Sequence, residues 1–339
     1  MRTFAYSFPK STFSMNLITK IKAPILNELQ VFEKTFADSL HSSNLLLSDV
    51  NEYVRRGNGK QLRPVLVLLG AKICGKINQS TINCAVGTEL LHTASLIHDD
   101  VVDDTLERRG QKSVNAQWNN RIAVLSGDYM FANAARYVVK TKNNRILELY
   151  SNAAMQLVYG EFLQLTNMEQ SKMPDEEDYF NIIRKKTALL FSACTEIGAL
   201  SVDAGENALK ALRSYGECLG ICFQLKDDIF DYYENLNIGK PTGNDVRDGK
   251  ITLPLIYALR NAAENEKQPV LDIISRKDFS EKNIQTILHF AREKGGIAYA
   301  EQQMEFFKQK AAAELAIFPD SEVKNALLTS AEFAVVRES

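Results

Sequence analysis

Apolar residues recur at three- and four-residue steps along almost the whole chain, most clearly over residues 17–40, 81–102, 123–140, 145–165, 178–200, 211–233 and 298–318. That period is helical, because residues three and four apart share one face of an α-helix. No pair of alternating apolar–polar runs joined by a hairpin turn interrupts it. Several of these stretches exceed 20 residues and are apolar over more than one stripe, which predicts central helices covered by others. Pro64 suits the first turn of a helix, and Pro174 precedes an acidic first turn, Asp175 to Asp178. No linker rich in Gly, Pro or Ser divides the chain, and no repeat is present. The expectation is all-α: a single large bundle of ten or more helices around a central cavity over residues 16–339, after a flexible N-terminal extension over residues 1–15.

Composition narrows the function. The 339 residues are 45% hydrophobic, enough for a large core. Net charge is −2, so no basic field favours nucleic acid. Five cysteines form no CxxC pair and read as reduced core thiols of a cytoplasmic protein, including Cys218 and Cys222 on one helix face. The first residues lack the apolar core of a signal peptide, and Met15 is an alternative start. No run of 18 apolar residues spans a membrane.

Against this background, "HDDVVDD" concentrates charge at the end of an apolar helical run. Asp99, Asp100, Asp103 and Asp104 share one broad helix face, where like charges repel by about 0.2–0.5 kcal/mol per pair. "LKDDIFD" repeats the pattern with Asp227, Asp228 and Asp231. One such cluster reads equally well as a solvated helix end. Two, each continuing an apolar helix, suggest opposed carboxylate faces. An EF-hand fails, since Val101, Asp104 and Gly110 stand where that loop needs a ligand, a glycine and a glutamate. Magnesium fits, because it binds through few carboxylates plus substrate phosphates. Cations that could touch phosphate frame both clusters: Lys60 and Arg63, Arg108 and Arg109, Lys185 and Lys186 beside Thr187, then Lys240 and Lys250.

With these motifs in order, the chain resembles the trans-prenyltransferases, the polyprenyl (isoprenyl) diphosphate synthase family. "GNGKQLRP", "ELLHTASLIHDDVVDD", "ERRG", "KKTA", the run from Gly220 to Asp231 and "GKPTGNDVRDGKITLP" carry the resemblance. Asn58 and Gln61 depart from it, where many members have glycine and a basic residue. The resemblance implies that Asp99, Asp100, Asp103, Asp227, Asp228 and Asp231 bind two or three Mg2+ ions, with Mn2+ an alternative. It implies that Lys60, Arg63, His92 and Arg109 bind isopentenyl diphosphate. Arg108, Lys186, Lys240 and Lys250 would bind an allylic diphosphate such as farnesyl diphosphate, with Thr187 and Gln224 lining the reacting centre. Without the resemblance, His92 would read as a core histidine, and His98 stays a structural neighbour of Asp99. The family also implies a homodimer.

Product length is read from Ala94 and Ser95, four to five residues before Asp99, where short-chain members carry a bulky aromatic. Small residues there imply an open tunnel and a long, octaprenyl-like product for membrane enzymes such as those making quinone tails, although they would equally suit close helix packing. Leu91, Met155, Tyr159 and Phe162 are the candidate floor. A short-chain synthase is the alternative. A terpene cyclase would not need the pocket implied by Lys60 and Arg63. An HD-type phosphohydrolase could use His98 and Asp99 but leaves the second cluster unexplained, and a non-catalytic partner subunit would usually lack one of the clusters.

Overall fold

The structure, a computed structural model, describes residues 10–57, 59–169, 173–233 and 243–337. Among them the helical period is realised as α1 (Lys10–Lys22), α2 (Leu26–Ser39), α3 (Leu45–Arg56), α4 (Leu62–Lys72), α5 (Gln79–Val102), α6 (Val114–Gln117), α7 (Asn120–Val139), α8 (Asn144–Glu169) and α9 (Glu176–Ile183). There follow α10 (Leu189–Leu200), α11 (Glu206–Phe230), α12 (Asn244–Arg247), α13 (Leu253–Asn261), α14 (Glu264–Arg276), α15 (Glu281–Glu293), α16 (Gly296–Glu314) and α17 (Glu322–Val336). α1 begins at Lys10, inside the segment expected as an extension. No described helix is long and apolar enough to cross a membrane.

Two predicted helical runs are interrupted. Pro24, which has no N–H to donate, sits in a tight turn at Ala23–Ile25 and splits the run over residues 17–40. Between α9 and α10 the backbone widens to a π-helical turn, Arg184–Ala188. The expectation of no hairpin needs one correction. Glu107–Arg108 pairs antiparallel with Gln111–Lys112 across a two-residue turn, Arg109-Gly110. Both turn residues have positive φ, 54° and 74°, the geometry that twists with the strands.

The uniformly apolar stretches become the centre, as their all-round hydrophobicity requires. α4 and α10 are buried along nearly their whole length and pack on each other. Their crossing depends on two small residues: a Cβ on Gly70 would lie 2.5 Å from Thr195 O, and one on Gly198 would lie 2.2 Å from Val67 O. α5 packs on α4 and α7, and α11 on α10 and α16. A smaller apolar cluster, including Tyr232, Val246, Ile284 and Leu288, lies beneath α12 to α15. All five cysteines are free. Burial pushes the thiols of Cys84 and Cys194 up to about 12, so they are inert core groups.

Candidate active site

α5 starts at a reciprocal cap between Asn78 and Thr81 and runs buried to its C-terminal end, where Asp99 and Asp100 sit and Asp103 closes the helix. α11 likewise delivers Asp227 and Asp228 at its end, with Asp231 as its closing residue. Helix C-termini carry partial negative charge. Both aspartate groups therefore stand where carboxylates are disfavoured and cations favoured.

Lys250 joins the two halves. Its Nζ lies 3.4 Å from Asp103 Oδ2 and 3.1 Å from Asp248. The segment that follows the second cluster thus touches the first. Burial opposes the charge of Lys250, but Asp103, Asp248 and Asp245 outweigh it and raise its pKa.

The carboxylates are held in different ways. Arg108 reaches Asp100 Oδ1 with Nε at 2.7 Å and Nη2 at 2.6 Å. Asp228 accepts from Tyr179 Oη at 2.5 Å and Gln224 Nε2 at 2.8 Å. Asp231 accepts the backbone N–H groups of Asn244 and Asp245. Burial pushes Asp99 up to about 6, and Glu161 adds to this while Lys186 opposes it. Burial pushes Asp228 up to about 7. The donor set is hard carboxylate oxygen, which suits a hard divalent cation. Among the described residues no three such side chains form a closed metal cage.

Two cationic groups flank these carboxylates. Within the bundle, Arg63 Nη1 lies 2.8 Å from His92 Nε2. Arginine has only donors, so Nε2 accepts and the imidazole proton is on Nδ1. Burial and then Arg63 hold His92 well below its usual pKa, so it is neutral. Arg109 donates from Nη1 to Gly57 O at 3.2 Å, aimed by its left-handed turn. Lys60 lies over the Phe333 ring, 5.2 Å from its centroid. On the other side, Lys186 comes off the π turn and pairs with Glu161 at 2.5 Å. Lys185 instead donates to Gln156. Thr187 Oγ1 donates to Gln224 Oε1 at 2.7 Å. A cavity of about 490 Å³ adjoins this side, lined by Lys186, Thr187, Gln224, Asp228 and Lys250 and continuing past Met168, Ile274 and Phe279.

Of the expected site residues, Lys240 lies outside the described residues. Leu91 and Ala94 are fully buried on α5, and Ser95 is buried with its hydroxyl donating to His92 O. None of the three lines the 490 Å³ cavity. Met155, Tyr159 and Phe162, expected as tunnel floor, are 60%, 51% and 63% exposed on the outer face of α8. His98 packs into the space left by Gly127 and lies 3.4 Å from Asp128.

Several neighbours were not singled out from the sequence. Asp245 is buried beside Asp228 and Asp231. Glu89, one helical turn before His92, is buried, which raises its pKa, while Arg63 and Arg109 oppose that shift. Arg337, near the C-terminus, donates to Asp227 Oδ1 at 2.7 Å and lies 3.8 Å over Phe223. Position in the "GNDVRDGK" run could have pointed to Asp245. Nothing local marks Arg337.

Residues 44–291 match the family model described as polyprenyl synthetase. Octaprenyl diphosphate synthase of Haemophilus influenzae is 34% identical over 96% of this chain and 97% of its own. The crystal structure of a polyprenyl synthase from Caulobacter crescentus, complexed with calcium and isoprenyl diphosphate, superposes with a TM-score of 0.89 at 31% identity, covering 95% of this chain and 98% of that one. A geranylgeranyl pyrophosphate synthase structure from Bacteroides thetaiotaomicron has a TM-score of 0.82 at 41% identity, covering 95% and 100%. With its fold, its paired aspartate helices and these matches, the chain belongs to the polyprenyl synthetase family and is a prenyltransferase.

Proposed function

We propose that the site condenses isopentenyl diphosphate head-to-tail with an allylic diphosphate, such as farnesyl diphosphate, and repeats the step to a product of octaprenyl length. The condensation itself is the chemistry of the family. The contact from Lys250 to Asp103 carries the reading of the site, because it brings the segment that follows the second carboxylate group against the first.

Asp99, Asp100, Asp103, Asp227, Asp228 and Asp231 are the residues that would hold Mg2+. Calcium in the Caulobacter crescentus structure suits the same oxygen donors. When bound, Mg2+ supplies stabilisation of the charge on the departing diphosphate as the allylic C–O bond breaks. Lys186 and Lys250, with Arg108 and Lys240, receive the allylic diphosphate. Thr187 and Gln224 present oxygen dipoles to the allylic cation. Arg63, neutral His92, Lys60 and Arg109 hold the diphosphate of isopentenyl diphosphate, whose double bond attacks that cation. The proton then lost goes to the released diphosphate, so no side-chain base is required. The helical walls exclude water that would quench the cation.

Small Ala94 and Ser95 support the long product, as does the octaprenyl-forming relative. The 41% identity to a geranylgeranyl-forming enzyme supports a short one. Mass spectrometry of the products from farnesyl and isopentenyl diphosphates decides between them. A ladder ending near octaprenyl diphosphate is expected, and termination at geranylgeranyl diphosphate would overturn the long-chain reading.

The active form is proposed as a homodimer. Met155, Val158, Tyr159 and Phe162 form an exposed stripe along α8, at the i, i+3, i+4, i+7 spacing of one helix face. Val124, Leu125 and Tyr129 are exposed on α7, which packs beside α8. Sedimentation at micromolar concentration should give twice the chain mass of 38.1 kDa.

A further inference from the structure

Tyr179 stands on α9 with its ring buried and its hydroxyl 2.5 Å from Asp228 Oδ2. Gln224 Nε2 holds the other oxygen, Oδ1, at 2.8 Å. Thr187 Oγ1 in turn donates to Gln224 Oε1 at 2.7 Å. Residues from α9, the π turn and α11 therefore fix one carboxylate. A carboxylate offers about four lone-pair directions. With one taken on each oxygen, the clamp decides which remain to face the cleft.

The scaffold behind the hydroxyl is itself tied down. Asp175 caps α9 by accepting from the Asp178 N–H at 2.8 Å. Glu176 accepts from Arg260 Nη1 at 2.6 Å on α13 and from Tyr299 Oη at 2.5 Å on α16. A phenylalanine would fill the same apolar space, and burying a hydroxyl is unfavourable unless it makes a bond. Asp228 gives that hydroxyl its use.

We infer that Tyr179 is a positioning residue, whose hydroxyl holds the Asp228 carboxylate in the orientation that receives a divalent cation and the allylic diphosphate. The inference rests on the reading of Asp228 as a cation ligand.

The test compares full-length wild type with Tyr179→Phe and Asp228→Asn. Mn2+ binding is followed by electron paramagnetic resonance in the presence of inorganic diphosphate. Thermal unfolding and steady-state kinetics for each substrate accompany it. Tyr179→Phe is expected to fold, to bind Mn2+ about 10-fold more weakly and to lose about 10-fold in kcat, as removal of a group orienting a metal ligand does. Its KM for isopentenyl diphosphate is expected to hold. Wild-type Mn2+ affinity and kcat in Tyr179→Phe, with Asp228→Asn impaired in both, would overturn the role of Tyr179 and leave that of Asp228 standing. Unchanged Mn2+ binding in Asp228→Asn would overturn the cation reading itself. A Tyr179→Phe chain that loses only thermal stability, or does not fold, would assign the hydroxyl to stability and also overturn the inference.

Discussion

A single methyl group at Gly59 should separate the two diphosphate pockets. A Cβ there would lie 2.7 Å from Arg109 Cζ and 2.9 Å from each Nη. Carbon atoms settle about 3.5–4.0 Å apart, so the guanidinium must retreat by about 1 Å. Its bond to Gly57 O is 3.2 Å, already at the long end of the range, and would break. The hairpin restricts any compensation, because Arg109 is held at φ 54° next to Gly110. The obstacle is the tip of a flexible side chain. Stability should change by less than about 1 kcal/mol. Losing one charged hydrogen bond to diphosphate costs about 1.5–3 kcal/mol. At about 1.4 kcal/mol per decade, KM for isopentenyl diphosphate should rise about 10- to 100-fold. KM for farnesyl diphosphate should hold, since Lys186 and Lys250 flank the cavity on the other side. Steady-state kinetics with each substrate varied in turn would show this. An unchanged KM for isopentenyl diphosphate, or an equal rise for both substrates, would refute the assignment of Arg109.

Asp99→Asn and Asp227→Asn should each lower kcat by about a thousandfold or more with the fold intact by circular dichroism, since cation contacts strengthen in the transition state; near-normal turnover in both would contradict the metal reading. His92 has a folded pKa well below 6.5, mainly through burial. As pH falls below about 6.5 the unfolded state takes up this proton first, so the stability present above that pH is lost by about 1.4 kcal/mol per unit. Urea unfolding between pH 5 and 6.5 should accordingly have a flatter acid slope in His92→Gln, and an identical slope would place the proton elsewhere. Arg337→Ala should cost about 1–3 kcal/mol in thermal unfolding by removing the charged hydrogen bond to Asp227 and the stacking on Phe223, and Arg337→Lys should not restore it, for lack of a planar group over Phe223. Ala94→Phe should shorten the products and, because Ala94 is fully buried, lower stability by about 1–3 kcal/mol; an unchanged product distribution would remove Ala94 from the tunnel.

The helices and both aspartate clusters were legible because their signals are local. α5 and α11 are long apolar periods that end in charge, and the structure ends both helices at those aspartates. Pro24 could have marked the break between α1 and α2, but the apolar period continues through it. The hairpin at Arg109 was hidden because its turn uses Arg-Gly, where Asn-Gly or Asp-Gly is the usual signal. The π turn at Arg184–Ala188 leaves the apolar spacing almost unchanged, so Lys185 and Lys186 read alike although they point to different partners. Met155, Tyr159 and Phe162 form a stripe whose period says that it is covered, not whether by this chain or by another. Arg337 meets Asp227 across 110 residues of sequence, and a pairing of that kind leaves no mark on either segment.

The central claim is metal-dependent condensation at a cleft built from both aspartate helices. It is tested most directly by measuring diphosphate release alongside isopentenyl diphosphate consumption, with Mg2+ and with excess EDTA. One diphosphate should be released for each isopentenyl diphosphate consumed, only with both substrates and Mg2+ present, and neither change should occur in EDTA. Diphosphate released from the allylic substrate alone at the same rate, or turnover undiminished in EDTA, would contradict it.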